Sequence, residues 1–211
     1  MNFFKKINIG ALLTIIVLAI VVVYSVNVEI GRKSDKEQIE SVIVKYNEFL
    51  NKYTMLEESK RIVPLEIKDS EYETYLSEMK KELKEIFVDD EQLFNNQYKI
   101  LKSVIDEQAK NKEYLITKFK RSFVKVSSYE FFENTSKVET EGRVDLTYLN
   151  NITAKDKAEI KENNQTNQKT IDTLNFKKVD GKWKITYANI TNMLPGSNKD
   201  GTYINDTMMM F

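Results

Sequence analysis

The chain opens with an apolar run, which carries no charged residue between Ile7 and Val28. A helix of that length rises by about 1.5 Å per residue and reaches about 30 Å, close to the hydrocarbon thickness of a bilayer. Lys5 and Lys6 precede the run, and Arg32 and Lys33 flank its other end. The pattern predicts one transmembrane helix over residues 7–28, retained as a signal anchor in the cell membrane. Residues 1–6 would then be cytoplasmic and the C-terminal domain extracytoplasmic.

A cleaved secretory signal is the alternative interpretation of this run, because Val23-Tyr24-Ser25 ends in a small residue. A signal peptide has an apolar region of about 7 to 15 residues, however, and Ile9 to Val26 is longer. The length favours the retained anchor.

The next part of the chain has the period of amphipathic helices. Ser34 and Glu37 have the spacing of a capping box, and a three-and-four apolar stripe follows from Ile39 to Tyr53. Pro64 interrupts the pattern, after which Asp69 or Ser70 caps a second helix that extends to Phe87. A third helix starts at Asp89 or Asp90 and fades over residues 108–112. Packing in a core is the expected role of all three stripes.

The period changes to two near Tyr114, which predicts strands for most of the remaining chain. Apolar and charged residues alternate from Val138 to Leu149, and Gly142 interrupts the apolar side, as at a bulge or a sharp bend of a curved sheet. From Phe119 to Phe132 the alternation slips around Arg121 and Ser122, which also suggests a bulge.

Asp180-Gly181 lies between two alternating runs and predicts a two-residue hairpin turn with positive φ at both positions. This turn pairs Val179 with Lys182, Lys178 with Trp183, Phe176 with Ile185 and Leu174 with Tyr187, so that apolar side chains of both strands share one face. The predicted core of the sheet comprises Leu146, Tyr148, Leu174, Phe176, Trp183, Ile185 and Tyr187.

Two polar segments remain. Residues 150–169 are rich in Asn, Gln, Lys and Glu, which fits either a loop or the exposed, extended base of a second hairpin. The residues after Leu194-Pro195-Gly196 show no periodicity. The predicted organisation is therefore a linker at 29–34, one domain at 35–192 and a flexible tail at 193–211.

Composition excludes several classes of function. Without Lys5, Lys6 and Glu29, the chain has 30 basic and 31 acidic residues, a net charge of −1, whereas nucleic-acid binding usually requires a positive excess. The cations of residues 118–125 are offset by nearby glutamates and indicate a solvated strand edge. His and Cys are absent, and no nucleotide, metal or nucleophile motif is complete. The sequence therefore predicts no cofactor.

Acidic and phenolic residues are the remaining candidates for chemistry. Asp145 or Asp172 with Tyr129, Tyr148 or Tyr187 would supply a base and a phenol, but no spacing singles out a pair, and structural tyrosines are expected. Asp89, Asp90 and Glu91 are neighbours at a helix start, where carboxylates favour the helix dipole without any ion. We therefore predict no metal site and no catalytic residue.

The chain resembles the nuclear transport factor 2-like superfamily, in which helices are followed by strands. The resemblance rests on the final hairpin, whose sequence is Phe176-Lys177-Lys178-Val179-Asp180-Gly181-Lys182-Trp183-Lys184-Ile185. The resemblance covers residues 35 to 192 and implies an α+β fold, with three helices packed on a strongly curved, cone-like antiparallel sheet. It implies no activity.

An N-terminal span before such a domain resembles the extracytoplasmic scaffold subunits of type IV secretion and Gram-positive conjugation machines. That resemblance implies a non-catalytic, membrane-anchored interaction module, which forms homo-oligomers or docks with other proteins of a bacterial envelope. A binder or enzyme for a small apolar ligand in the cone is the alternative.

Overall fold

The structure is a computed structural model that describes the backbone of residues 9–154, 157–191, 196–197, 203–204 and 208–209. Side chains are described for residues 13–23, 25, 29, 31–154 and 157–190. Lys5, Lys6 and most of the predicted tail lie outside these residues. Residues 1–38 and 39–211 form two compact units.

A single helix, α1, runs from Ile9 to Tyr53 and passes without a break through the predicted linker. Ser34 therefore does not begin a helix, and its hydroxyl oxygen accepts a hydrogen bond from Gln38 Nε2 at 3.4 Å. Arg32 and Lys33 are exposed helical residues.

The predicted transmembrane helix is wrong on the evidence of the described residues, in which no helix is long and apolar enough to cross a membrane. The predicted signal anchor and the localisation in the cell membrane that depends on it are wrong for the same reason.

The second and third predicted helices are confirmed. Helix α2 runs from Asp69 to Ile86, and α3 runs from Glu91 to Asp106, followed by a π-helical turn at Glu107–Asn111. Asp90 caps α3, since its carboxylate accepts hydrogen bonds from the backbone N–H groups of Gln92 and Leu93. Short 3₁₀ turns lie at Glu58–Lys60 and Lys157–Glu159.

Four long antiparallel strands follow in the order β1-β2-β3-β4. They are β1 (Tyr114–Phe132), β2 (Thr135–Asn150), β3 (Lys161–Val179) and β4 (Lys182–Thr191). Two-residue strands lie at β5 (Gly196–Ser197), β6 (Tyr203–Ile204) and β7 (Met208–Met209). Residues 150–169 thus include the end of one strand and the start of the next.

The α+β class is correct, but the strongly curved cone is wrong, because the sheet is not strongly curled. Each strand pairs with its neighbour in sequence over nearly its whole length, as an open meander. Of the three register shifts between β1 and β2, one lies opposite Gly142, between Phe123 and Lys125 of β1.

The β3–β4 hairpin has the predicted turn, with φ of 48° at Asp180 and 76° at Gly181. Its first three predicted pairs are also observed, up to Phe176 opposite Ile185. A register shift then follows between Asn175 and Phe176, so that Ala188 rather than Tyr187 lies opposite Leu174. Tyr187 is consequently half-buried and lies opposite Asn175.

One hydrophobic core unites the helices and the sheet. From Ile39 onward, α1 contributes a buried stripe of three-and-four spacing, and α2 and α3 add stripes of the same kind. The sheet contributes buried residues from all four long strands. Those that the sequence predicts are Leu146, Tyr148, Leu174, Phe176, Trp183 and Ile185, all buried.

Helices and loops cover parts of both edges of this sheet. On β1, the side-chain amide of Asn51 donates to the Arg121 carbonyl at 2.8 Å and accepts from its N–H at 2.6 Å. Arg61 donates to the Thr117 carbonyl at 2.8 Å. On β4, the Val88 N–H donates to the Ile185 carbonyl at 2.9 Å.

Replacing Gly142 by alanine is expected to destabilise the fold by about 1–3 kcal/mol through overpacking. An added Cβ would lie 2.7 Å from Thr170 Oγ1 and 2.8 Å from the backbone carbonyl oxygen of Ser122. Urea denaturation followed by circular dichroism measures the loss. Gly31→Ala is the matched control, since its added Cβ would have no atom within 4 Å apart from its chain neighbours and the adjacent backbone of its own helix. An equal effect of both substitutions would contradict the prediction.

Candidate functional site

A buried ion pair joins two non-adjacent strands in the interior. Arg121 of β1 donates from Nη2 to Asp172 Oδ2 of β3, and the two side chains are 1% and 6% exposed. Arg121 faces inward because the alternation of β1 places it on the same side as the buried Phe119.

Neutral polar groups surround this pair. Asn47 Oδ1 on α1 accepts a hydrogen bond from Arg121 Nε at 2.9 Å, and Thr140 donates to Asp172 Oδ2 at 3.4 Å. The four side chains come from one helix and three strands, and both charges are neutralised and hydrogen-bonded within the core. Such an arrangement fixes the position of α1 on the sheet.

Tyr46 is the phenol beside this ion pair. It is buried, and its hydroxyl oxygen accepts a hydrogen bond from Gln97 Nε2 at 3.0 Å. Burial raises the pKa of Tyr46, with a lowering influence from Arg121 and a further raising influence from Asp172. The phenol is therefore protonated at neutral pH, and its enclosed position gives a substrate no access to it.

The remaining candidate acids and phenols lie apart from one another. Asp145 is on the outer side of β2, where Oδ1 accepts from the Asn167 N–H at 2.7 Å. Tyr129 donates to Glu40 at 2.6 Å, and Tyr148 is buried in the core. Asp145 also lies 3.8 Å from the Lys118 ammonium at the surface, so among these candidates only Asp172 has an ionised partner in the interior. Within the described part of the chain, no group of three or more acidic side chains is placed to hold a metal ion.

An open groove follows the N-terminal half of α2. It consists of two adjoining cavities, one of about 450 Å³ and one of about 400 Å³, which share Lys60, Ile67 and Glu71 in their walls. Lys60 and Glu71 form an ion pair at 2.5 Å, which lowers the pKa of Glu71. We call this feature the α2 groove.

Tyr72 lines the α2 groove, and residues of α3 hold its hydroxyl group in place. Its hydroxyl donates to Asp106, and Lys102 contacts the other oxygen of that carboxylate at 2.5 Å. Burial and the bond to Asp106 raise the pKa of Tyr72 to about 12. The Lys110 ammonium lies 4.1 Å from the centre of the ring. The Tyr72 phenol is therefore held in place and protonated at neutral pH.

Sequence reasoning missed both Arg121 and the α2 groove. Residues 118–125 contain several exposed cations, so Arg121 has the same apparent role as its neighbours. Its charge at an apolar position of the alternating pattern suggests a bulge when only this strand is considered. Its position between the inward-facing Phe119 and the half-buried Phe123 was the available signal. The groove has no such signal, because its walls come from the segment between α1 and α2, from α2 itself and from the turn after α3.

No family model and no curated protein matches the sequence. Among solved structures, the chain is similar to the intermembrane-space region of the chloroplast protein ARC6. That similarity covers 73% of this chain and 94% of the other at 9% identity, with a TM-score of 0.44.

Proposed function

We propose that this chain is a non-catalytic protein-interaction subunit that self-associates through the N-terminal part of α1. The observation that carries the proposal is the exposure of aliphatic side chains between Leu13 and Val23. Nine of them are between 46% and 63% exposed, namely Leu13, Ile15, Ile16, Val17, Leu18, Ile20, Val21, Val22 and Val23. A helix that is apolar on all sides is stable when it is buried, so another surface must cover it.

The size of this surface suits a second copy of the chain. Nine such side chains expose on the order of 500–900 Å², while the largest apolar patch of a typical monomer measures about 300–600 Å². A stable interface buries about 800 Å² on each partner. The same segment on another copy offers an apolar surface of equal size, so association in register buries both.

The interior of the domain supports a role without catalysis. Its buried ion pair, Arg121 with Asp172, is enclosed and fully neutralised, whereas a general base requires access to a substrate proton. The Tyr46 phenol, on which both charges act, is buried as well.

Analytical ultracentrifugation of the full chain in detergent-free buffer tests the proposal. We expect a mass of two or more chains, and we expect Ile16→Asp combined with Ile20→Asp to weaken association at least about 100-fold, since each buried Ile contributes about 2–3 kcal/mol. Ile62→Asp combined with Ile171→Asp is the control, because these residues are 70% and 58% exposed in the C-terminal unit.

Three outcomes would overturn self-association. The first is a monomer at every concentration, and the second is an equal loss in the control. The third is a chain that remains in solution only when lipid vesicles or detergent are added. In that case the apolar segment would bind lipid or detergent in preference to a second copy of the chain.

A further inference from the structure

The α2 groove has an apolar floor. Ile67 and Tyr75 are half-buried and supply the apolar area of this floor that a ligand can cover. Leu56, Leu65 and Tyr72 support them from below and are between 3% and 5% exposed. A groove with such a floor stabilises a ligand by covering apolar side chains from water.

The rims of the groove differ in charge from one end to the other. The larger cavity is lined by Glu57, Glu71 and Glu78 against Lys60, an excess of two negative charges. The smaller cavity is lined by Lys60, Lys68 and Lys112 against Glu66 and Glu71, an excess of one positive charge. The groove is therefore acidic at one end and basic at the other.

The ion pair between Lys60 and Glu71 divides the groove. These side chains line both cavities and are 28% and 41% exposed. A compact ligand would fill only one compartment. A chain with successive side chains can place one apolar group on each side of the ion pair.

The length of the groove sets the length of such a ligand. Lys68 and Glu78, one from each end, bracket the first nine residues of α2. Nine residues of helix rise about 14 Å. An extended peptide advances about 3.3 Å per residue and spans this distance with about four residues.

We infer that the α2 groove binds a short extended segment of a partner protein, with two apolar residues at its centre, a basic residue at the Glu57–Glu78 end and an acidic residue at the Lys68–Lys112 end. The apolar residues cover the floor on both sides of the dividing ion pair. The end charges orient the segment, as complementary charges do at other interfaces. This inference is independent of self-association through α1, because it uses a different surface.

Fluorescence anisotropy of the full chain with three fluorescein-labelled hexapeptides tests the inference. The probes are Arg-Arg-Leu-Leu-Asp-Asp and its two like-charged counterparts, which carry arginine or aspartate at both ends. We expect the first peptide to bind about five-fold more tightly than either counterpart, because exposed ion pairs contribute about 0.2–1 kcal/mol each. Salt at 0.5 M should reduce this preference to less than about two-fold.

Charge reversal at the acidic end provides the decisive comparison. Glu57→Lys combined with Glu78→Lys should reverse the ranking, so that the peptide with aspartate at both ends binds most tightly. Glu85→Lys is the matched control on the exposed side of α2 and should leave the ranking unchanged. A misfolded variant would lose all binding and could not reverse the ranking.

Several results would overturn the inference. They are equal affinity for the three peptides, no anisotropy change with protein at 1 mM, and a reversal produced equally by the control variant.

Discussion

Replacing Asp172 by alanine is expected to lower the free energy of unfolding by about 3–5 kcal/mol. The substitution leaves the Arg121 guanidinium buried, with its side chain 1% exposed, and removes its carboxylate partner. An uncompensated buried charge costs more than a lost ion pair, because desolvation is no longer offset. Urea denaturation followed by circular dichroism measures the loss.

Two further variants separate this effect from ordinary loss of contact. Lys118 lies on the same strand as Arg121 and forms an ion pair with Asp145 of β2. The Lys118 side chain is 59% exposed, so Lys118→Ala is expected to cost less than about 1 kcal/mol. Arg121→Met combined with Asp172→Leu removes both buried charges and should recover most of the stability. A loss below about 1 kcal/mol for Asp172→Ala would contradict the buried pair.

Trp183→Ala is the second large effect, with an expected loss of about 3–5 kcal/mol. Trp183 is buried in the β3–β4 hairpin, and its ring meets Phe131 edge to face at 6.1 Å and 68°. Truncation leaves a cavity beneath the hairpin that its neighbours fill only in part. Because this is the chain's single tryptophan, circular dichroism must replace intrinsic fluorescence as the measurement.

Phe132→Ala is the matched control for this substitution. Phe132 is an aromatic residue at the end of β1, but it is 74% exposed, and its removal should change stability by less than about 0.5 kcal/mol. Equal losses for the two variants would show that aromatic content, and not burial, determines the effect.

The elements that could be predicted are those determined by neighbouring residues. The β3–β4 turn depends on Asp180 and Gly181 themselves, and both adopt the positive φ that a two-residue hairpin requires. The start of α3 likewise depends on Asp90, whose carboxylate reaches N–H groups within three residues. Local chemistry is sufficient in both places.

The features that could not be predicted depend on distant residues. Arg121 is buried because Asp172, 51 residues away, neutralises it, and no local pattern reveals that partner. The register shift beside Asn175 moves Tyr187 out of its predicted place, although the turn itself is correct. Sheet curvature is equally non-local, since Gly142 and the hairpin sequence do not determine how far four long strands coil.

Ser34 and Glu37 illustrate a different error. Their spacing fits a helix start, but α1 begins well before Ser34. The backbone N–H groups after Ser34 therefore belong to the interior of the helix and need no cap. A capping box predicts a boundary only where the preceding residues leave the helical conformation.

The side-chain amide of Asn51 affects how this protein can associate with other chains. By bonding to both backbone groups of Arg121, it imitates the main chain of a further strand and blocks amyloid-like growth of the sheet at that position. Val88 has a similar effect at Ile185 on the opposite border. Replacing Asn51 by leucine would therefore be expected to expose a template for fibril formation, even where the native fold survives.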